Sequence, residues 1–360
     1  MVPRWWRGGT APERQRSRSP RSCGLPASCP SRSIILNYPI CQWARRLREP
    51  TGNLLGGMTG CPRVWFLDWF FGMAALINVE RLQAATGLAT VECHDRLSST
   101  MDRGRELAAS TSGLPALIMA TRQHAGRGRR GAAWWQPPGS LAMTLVLDAR
   151  KTIEHAGGPL PLWAPACGLA VAEAIETVCP TVRPQVRWPN DVEVGGRKLA
   201  GVLVEATTSH HVLIGVGINT TGSAAAAPVG LRERLTTLPD AGGRSILPEE
   251  LLEAVVPRLV ATIAAAGTVA GRVEIVHRYQ AFCSLTNHPV TLFDVLAEQL
   301  GRPAGTPAHL RAARLSGRCG GVDESGRLLV DSAAGRLAII AGSLTDPAAI
   351  WTGEDAATRG

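Results

Sequence analysis

The sequence predicts an α+β protein: a mixed sheet packed with helices, followed by a small, barrel-like β domain at the C-terminus. Two observations carry that prediction. Between residues 88 and 286, buried apolar strands such as LAMTLVL (141–147) and VLIGVGIN (212–219) alternate with segments of helical period. From Asn287 the helical period stops, and short strands separated by turn residues take over. A chain of 360 residues is long enough for two such domains.

Residues 1–72 read as a basic tail outside the fold. They are rich in Arg, Ser, Pro and Gly without a sustained period, so they bury too little apolar surface to offset their ordering entropy. The composition also fits an organellar transit peptide. The preferred expectation is a non-functional extension, with translation starting at Met58 or Met73. The chain's formal charge is +9, but residues 1–50 hold ten arginines against Glu13 and Glu49. The remaining 310 residues are thus near +1, with no net field that would attract nucleic acid. Val64–Ile77 is apolar but too short to span a bilayer and is broken by Asp68. Nine cysteines without a CxxC pair or His/Cys ligand spacing predict reduced thiols in a cytoplasmic protein and no zinc site.

Along the body, Leu88–Leu97 predicts a strand and Ser99 to about Ala109 a helix, with Ser99 and Asp102 spaced as a capping box. Leu117–Thr121 and Leu141–Leu147 are short buried strands. One alanine-rich helix is expected over Pro159–Val178. DVEV and RKLAGVLVEA then form a hairpin about Gly195-Gly196. Val212–Asn219 is a further strand, and helices follow at about Pro248–Ala265 and Val269–Ser284. Strands at Pro289–Phe293, Arg314–Val322, Arg327–Val330 and Leu337–Ile340 close the chain, with Leu296–Leu310 as an inserted loop.

The densest chemistry lies in AGRGRRGAAW (125–134), three glycines and three arginines within six residues. Glycine brings backbone close to a ligand, and guanidinium forks suit carboxylates and phosphates. By itself the run reads equally as a mobile loop ordering over an anion or as a solvated basic turn.

Together, Gln123 with GRGRRG and Trp134, RWPND at 187–191, RKLAGVLVE at 197–205 and IGVGIN at 214–219 resemble the biotin protein ligases. The resemblance spans roughly residues 79–345. It implies a catalytic domain at 79–286, like that of class II aminoacyl-tRNA synthetases, and an SH3-like barrel at 287–345. It also implies a reaction. Biotin and ATP, with Mg²⁺, give biotinyl-5′-AMP, and a lysine of the biotin carboxyl carrier domain of acetyl-CoA carboxylase or a related carboxylase takes the biotinyl group. A homodimer is compatible with it, while specific nucleic-acid binding and membrane attachment are not expected.

Residue by residue, the resemblance places Ser99, Thr100 and Met101 at the biotin ureido ring, with Met101 where the family has Asn. Ser99 also fits a plain helix cap. Gln123 offers a donor and an acceptor to the same ring. Arg127, Gly128 and Arg129 would meet the biotin carboxylate and α-phosphate, with Arg129 sealing the adenylate, and Arg130 joins the ATP set. Trp134 would stack on adenine, or serve as a core anchor for the loop. Asn190 and Asp191 would face the nucleotide, Asp191 holding Mg²⁺ indirectly; as a residue after a strand, it also fits an Asx turn. Lys198 is the expected catalytic cation, together with Arg129. Gly215, Gly217 and Asn219 complete the nucleotide set. Two rivals share parts of this pattern: a lipoate-type ligase, and a bifunctional ligase/repressor. The second needs an N-terminal helix-turn-helix, for which residues 1–78 show no amphipathic pair.

Overall fold

Asn78 opens the first helix as its cap, its side chain accepting a hydrogen bond from Arg81 N–H at 2.9 Å, and α1 (Val79–Thr86) ends on the left-handed Gly87. The protein is described by a computed structural model over residues 77–110, 113–158, 160–295 and 313–344. The expectations for the 1–72 tail, for most of Val64–Ile77 and for the Leu296–Leu310 insertion lie outside the described residues.

After α1 come β1 (Thr90–Leu97), α2 (Thr100–Ser110) and β2 (Ala116–Gln123). β1 and β2 pair in parallel from Thr90↔Ala116 to Leu97↔Gln123. A parallel pair needs a crossover, and α2 supplies it. Arg103 of α2 grips Glu92 of β1 through two 2.8 Å contacts, which hold the Glu92 carboxyl down at about 2. β3 (Leu141–Asp148), β4 (Gln185–Arg187), β5 (Asp191–Val194), β6 (Arg197–Ala206) and β7 (His211–Ile218) complete a seven-stranded mixed sheet in the order β1-β2-β3-β7-β6-β5-β4. The expected hairpin joins β5 to β6, with Gly195 and Gly196 at φ 58 and 74.

Period-two burial sorts the sheet into two faces. On one, Leu145, Leu147, Val212 and Ile214 pack under α4 (Trp163–Val178) and α6 (Pro248–Ala266). On the other, Ile118, Val146 and Leu213 meet Met101 and Ala108 of α2. The helix expected at Pro159–Val178 is present with a later start, and a shorter helix not expected from the sequence precedes it. A separate α3 (Arg150–Ala156) stops at the left-handed Gly157, and α4 begins only at Trp163. α5 (Val229–Arg232) is one short turn, and α7 (Val269–Phe282) leads to the second sheet.

That second sheet is antiparallel, with β8 (Pro289–Val295), β9 (Ala313–Val322), β10 (Leu328–Ser332) and β11 (Gly335–Ile339) in the order β11-β10-β9-β8. The β9–β10 turn reaches back to the first sheet. Gly326 at φ 80 lies so close to the start of α4 that a Cβ there would sit 2.3 Å from Leu162 N. The Gly326 carbonyl accepts the Trp188 indole N–H at 3.1 Å. No described helix is long and apolar enough to cross a membrane.

Candidate active site

The site begins with what β7 leaves out. Val212, Ile214, Val216 and Ile218 fill the helix-covered face, and the opposite face carries Leu213, Gly215 and Gly217. Larger side chains occupy the space the glycines leave. A Cβ on Gly215 would lie 2.8 Å from the Met101 sulfur, and one on Gly217 would lie 2.4 Å from the Trp134 ring. Gly217→Ala should therefore displace Trp134 at a cost of about 1–3 kcal/mol, read as a lower Tm together with a shifted tryptophan emission. An alanine variant that melts and fluoresces like the parent would contradict this packing.

Beside that floor, the start of α2 is wired to the end of β2. Gln123 Oε1 accepts from Thr100 N–H at 2.8 Å and from its hydroxyl at 3.2 Å, and Thr144 donates to the Thr100 oxygen at 2.8 Å. The amide nitrogen is then the group Gln123 can offer a ligand. Gln136 fixes the strand end, accepting from Gln123 N–H at 3.1 Å. The capping box is corrected. Ser99 Oγ accepts from Met101 N–H at 3.3 Å, while the Asp102 carboxylate faces Arg105 and Arg127. Two nearby guanidinium groups outcompete a single backbone N–H for a carboxylate.

The Gly/Arg run, read as a mobile loop or a solvated basic turn, is built as a short hairpin. Gly126 and Trp134 bond at 3.0 Å, Gly128 and Ala132 at 2.7 Å, and a 3₁₀ turn spans Arg129–Gly131. Trp134, seated on Gly217, anchors one end. The three guanidinium groups then diverge. Arg127 pairs with Asp102, and Arg130 with Asp294 at 2.8 Å. Arg129 turns inward to Asn190 Oδ1 at 3.4 Å, where burial, with the Arg130 charge beside it, pulls its guanidinium below the ordinary value against the pull of Asp191.

Opposite the hairpin stand RWPND and RKLAG. Asn190 donates to the Val202 carbonyl at 2.6 Å, which fixes its amide. Lys198 Nζ lies 2.7 Å from Asp191 and 5.6 Å from the centre of the Trp134 ring. Asn219 is buried, donating to Thr236 O at 2.9 Å while its Oδ1 has no partner among the described residues. Trp134 Nε1 is likewise buried and unpartnered. Such orphaned polar atoms beside a cavity suit a ligand carrying both donors and acceptors.

A cavity of about 450 Å³ joins these pieces. Ser99, Thr100, Met101, Gln123, Arg127, Gly128, Arg129, Arg130, Trp134, Asn190, Asp191, Lys198, Gly215 and Asn219 all line it. Gly217 does not, because Trp134 covers it. Sequence reasoning missed Arg187, the buried Glu193 and the Gly342–Leu344 wall from the second sheet. Arg187 had a signal, since it heads RWPND; the others lie in no motif.

A family profile described as the biotin/lipoate A/B protein ligase family matches residues 94–219. A biotin–[acetyl-CoA-carboxylase] ligase from Paracoccus denitrificans is 32% identical over 253 residues, covering 68% of this chain and 95% of that protein. The chain belongs to the biotin/lipoate A/B protein ligase family. A bifunctional ligase/repressor from Bacillus subtilis is 31% identical over 158 residues, but the match takes in only 47% of its length. The fold agrees with the solved biotin protein ligase of Aquifex aeolicus in complex with biotin and ATP, at a TM-score of 0.56 and 23% identity, covering 70% of this chain and 96% of that one. Within this ligase-family chain, the matched span contains every sequence-predicted site residue. Glu193 lies inside it as well, while Asp294 and Gly342–Leu344 lie outside.

Proposed function

We propose that the chain activates biotin with ATP as biotinyl-5′-AMP and transfers the biotinyl group to a lysine of a biotin carboxyl carrier domain. The observation that carries this is the convergence of Gln123 and Arg129, Asn190, Lys198 and Asn219, from the four sequence motifs, on one cavity. In the first step a biotin carboxylate oxygen attacks the α-phosphorus and pyrophosphate leaves. In the second the acceptor amine attacks the acyl carbon and AMP leaves. The acceptor brings its own nucleophile, so the protein's task is positioning and charge stabilisation.

Gln123 and the Ser99–Met101 segment hold the ureido end. Arg127, Gly128 and Arg129 take the carboxylate and α-phosphate. Lys198 leaves Asp191 to meet the oxygen on which charge builds. Trp134, Asn190, Gly215 and Asn219 shape the nucleotide end. Among the described residues no group of three or more His, Cys, Asp or Glu could hold a metal, and the Asp191 carboxylate is engaged by Lys198. Mg²⁺ therefore fits as an ion carried by the ATP phosphates, with Asp191 as an outer partner. We place the reaction in the cytoplasm, a compartment in which the thiols of Cys93, Cys167, Cys179, Cys283 and Cys319 stay reduced.

Incubation with biotin, ATP, Mg²⁺ and a carrier domain, followed by an avidin blot, tests the reading. Label on the carrier that needs both ATP and the carrier lysine is the expected result. No label, or equal transfer of lipoate, refutes it.

A further inference from the structure

Arg130 and Asp294 are joined by a 2.8 Å ion pair, and both residues sit in the left-handed region, at φ 56 and 54. Non-glycine residues rarely adopt that conformation, and it persists only where the surrounding structure over-determines it. Arg130 belongs to the 3₁₀ turn of the Gly/Arg hairpin. Asp294 belongs to the second sheet, where the β8–β9 register shifts between Leu292 and Val295. A bulge of this kind re-aims a side chain that a regular strand would send elsewhere. Its neighbour Phe293 exchanges two 2.8 Å hydrogen bonds with Ser343, which brings Gly342–Leu344 to the cavity wall. One bulge thus supplies both a wall for the cavity and an anion for the hairpin.

We infer that Asp294 is a positioning residue for the Gly/Arg hairpin: by pairing with Arg130 at the cavity rim, it ties the hairpin to the second sheet and keeps the adjacent Arg129 turned toward Asn190. Arg130 is thereby a tether and not a nucleotide contact. Two like charges on consecutive residues repel, and Asp294 neutralises that of Arg130. The catalytic part of this inference rests on the ligase reading above; the tether itself does not.

The test uses the full chain as wild type, Asp294→Asn, Asp294→Glu and the charge-swapped double variant Arg130→Asp/Asp294→Arg. Without any substrate, Asp294→Asn should speed tryptic cleavage after Arg127, Arg129 and Arg130 by about two- to fivefold, the range an exposed ion pair supports. With biotin and ATP, the same variant should raise KM for ATP and the escape of biotinyl-AMP by a similar factor at unchanged kcat. Asp294→Glu should recover part of the effect and the charge swap most of it. The difference between wild type and Asp294→Asn should shrink in high salt, which screens the wild-type pair. Unchanged cleavage in Asp294→Asn overturns the tether whether or not the protein proves to be a ligase. Unchanged KM and escape in an active enzyme overturn its role in catalysis. A charge swap no better than the single variant, or a loss of Tm without a change in cleavage, assigns Asp294 to the general framework and overturns it too. Absence of any biotinyl-AMP from wild type refutes the ligase reading and leaves the cleavage result to decide the tether.

Discussion

Replacing Lys198 by alanine is expected to abolish adenylate formation while the protein stays folded. The ammonium stands at the meeting point of the hairpin, RWPND and RKLAG, 2.7 Å from Asp191. A preorganised cation aimed at developing phosphoryl charge is worth on the order of 10²–10³ in rate in a water-poor site. Its structural contribution is small. The ion pair with Asp191 joins side chains that are 37% and 30% exposed, so after solvent screening its loss costs at most about 1 kcal/mol. The strand keeps its backbone bonds, Lys198 N–H to Arg234 O at 2.9 Å and Thr236 N–H to Lys198 O at 2.8 Å. Biotin-dependent pyrophosphate release is the measurement, with Tm as the control. Arginine at 198 should not restore the rate, because a planar fork does not replace a compact ammonium. Release at near wild-type rate in Lys198→Ala would remove Lys198 from the chemistry.

The second large effect is expected at Arg129. Its guanidinium is half-buried, turned toward Asn190 and weakly tied to it at 3.4 Å. A cation held so loosely in a half-buried place is available to a phosphate, and its removal opens the cavity beside the Arg129–Gly131 turn. Arg129→Gly should release biotinyl-AMP into solution about tenfold or more faster, the loss of one charge-assisted contact of ~1.5–3 kcal/mol. Free intermediate then acylates bystander lysines. The assay is biotin label on an unrelated protein added beside the carrier. If Arg129→Gly labels only the carrier, Arg129 does not seal the intermediate.

Much of the fold and the cavity was legible because local chemistry and tertiary structure agreed there. Gly195-Gly196 demanded a tight hairpin and forms one, with both residues at positive φ. VLIGVGIN read as a buried strand and forms one, while Gly215 and Gly217, expected in the nucleotide set, have Met101 and Trp134 packed over them. What failed did so where a short-range pattern met a long-range competitor. Asp102 has capping-box spacing, yet Arg105 and Arg127 claim its carboxylate. α1 and α3 span only Val79–Thr86 and Arg150–Ala156, too few turns for a period to stand out. Asp294 carries no motif at all, since its place depends on a bulge and on a guanidinium 164 positions away.

The contact between Trp188 and Gly326 also bears on how the chain opens and closes. The indole N–H that steadies RWPND is satisfied by a carbonyl 138 residues downstream, in the turn of another sheet. Should the β9–β10 turn fray, that donor is left buried without an acceptor, so the strands around 185–194 and those around 313–332 are expected to exchange amide hydrogens together. Buried residues on both sides of residue 287, Trp188 and Val330 among them, belong to one hydrophobic cluster.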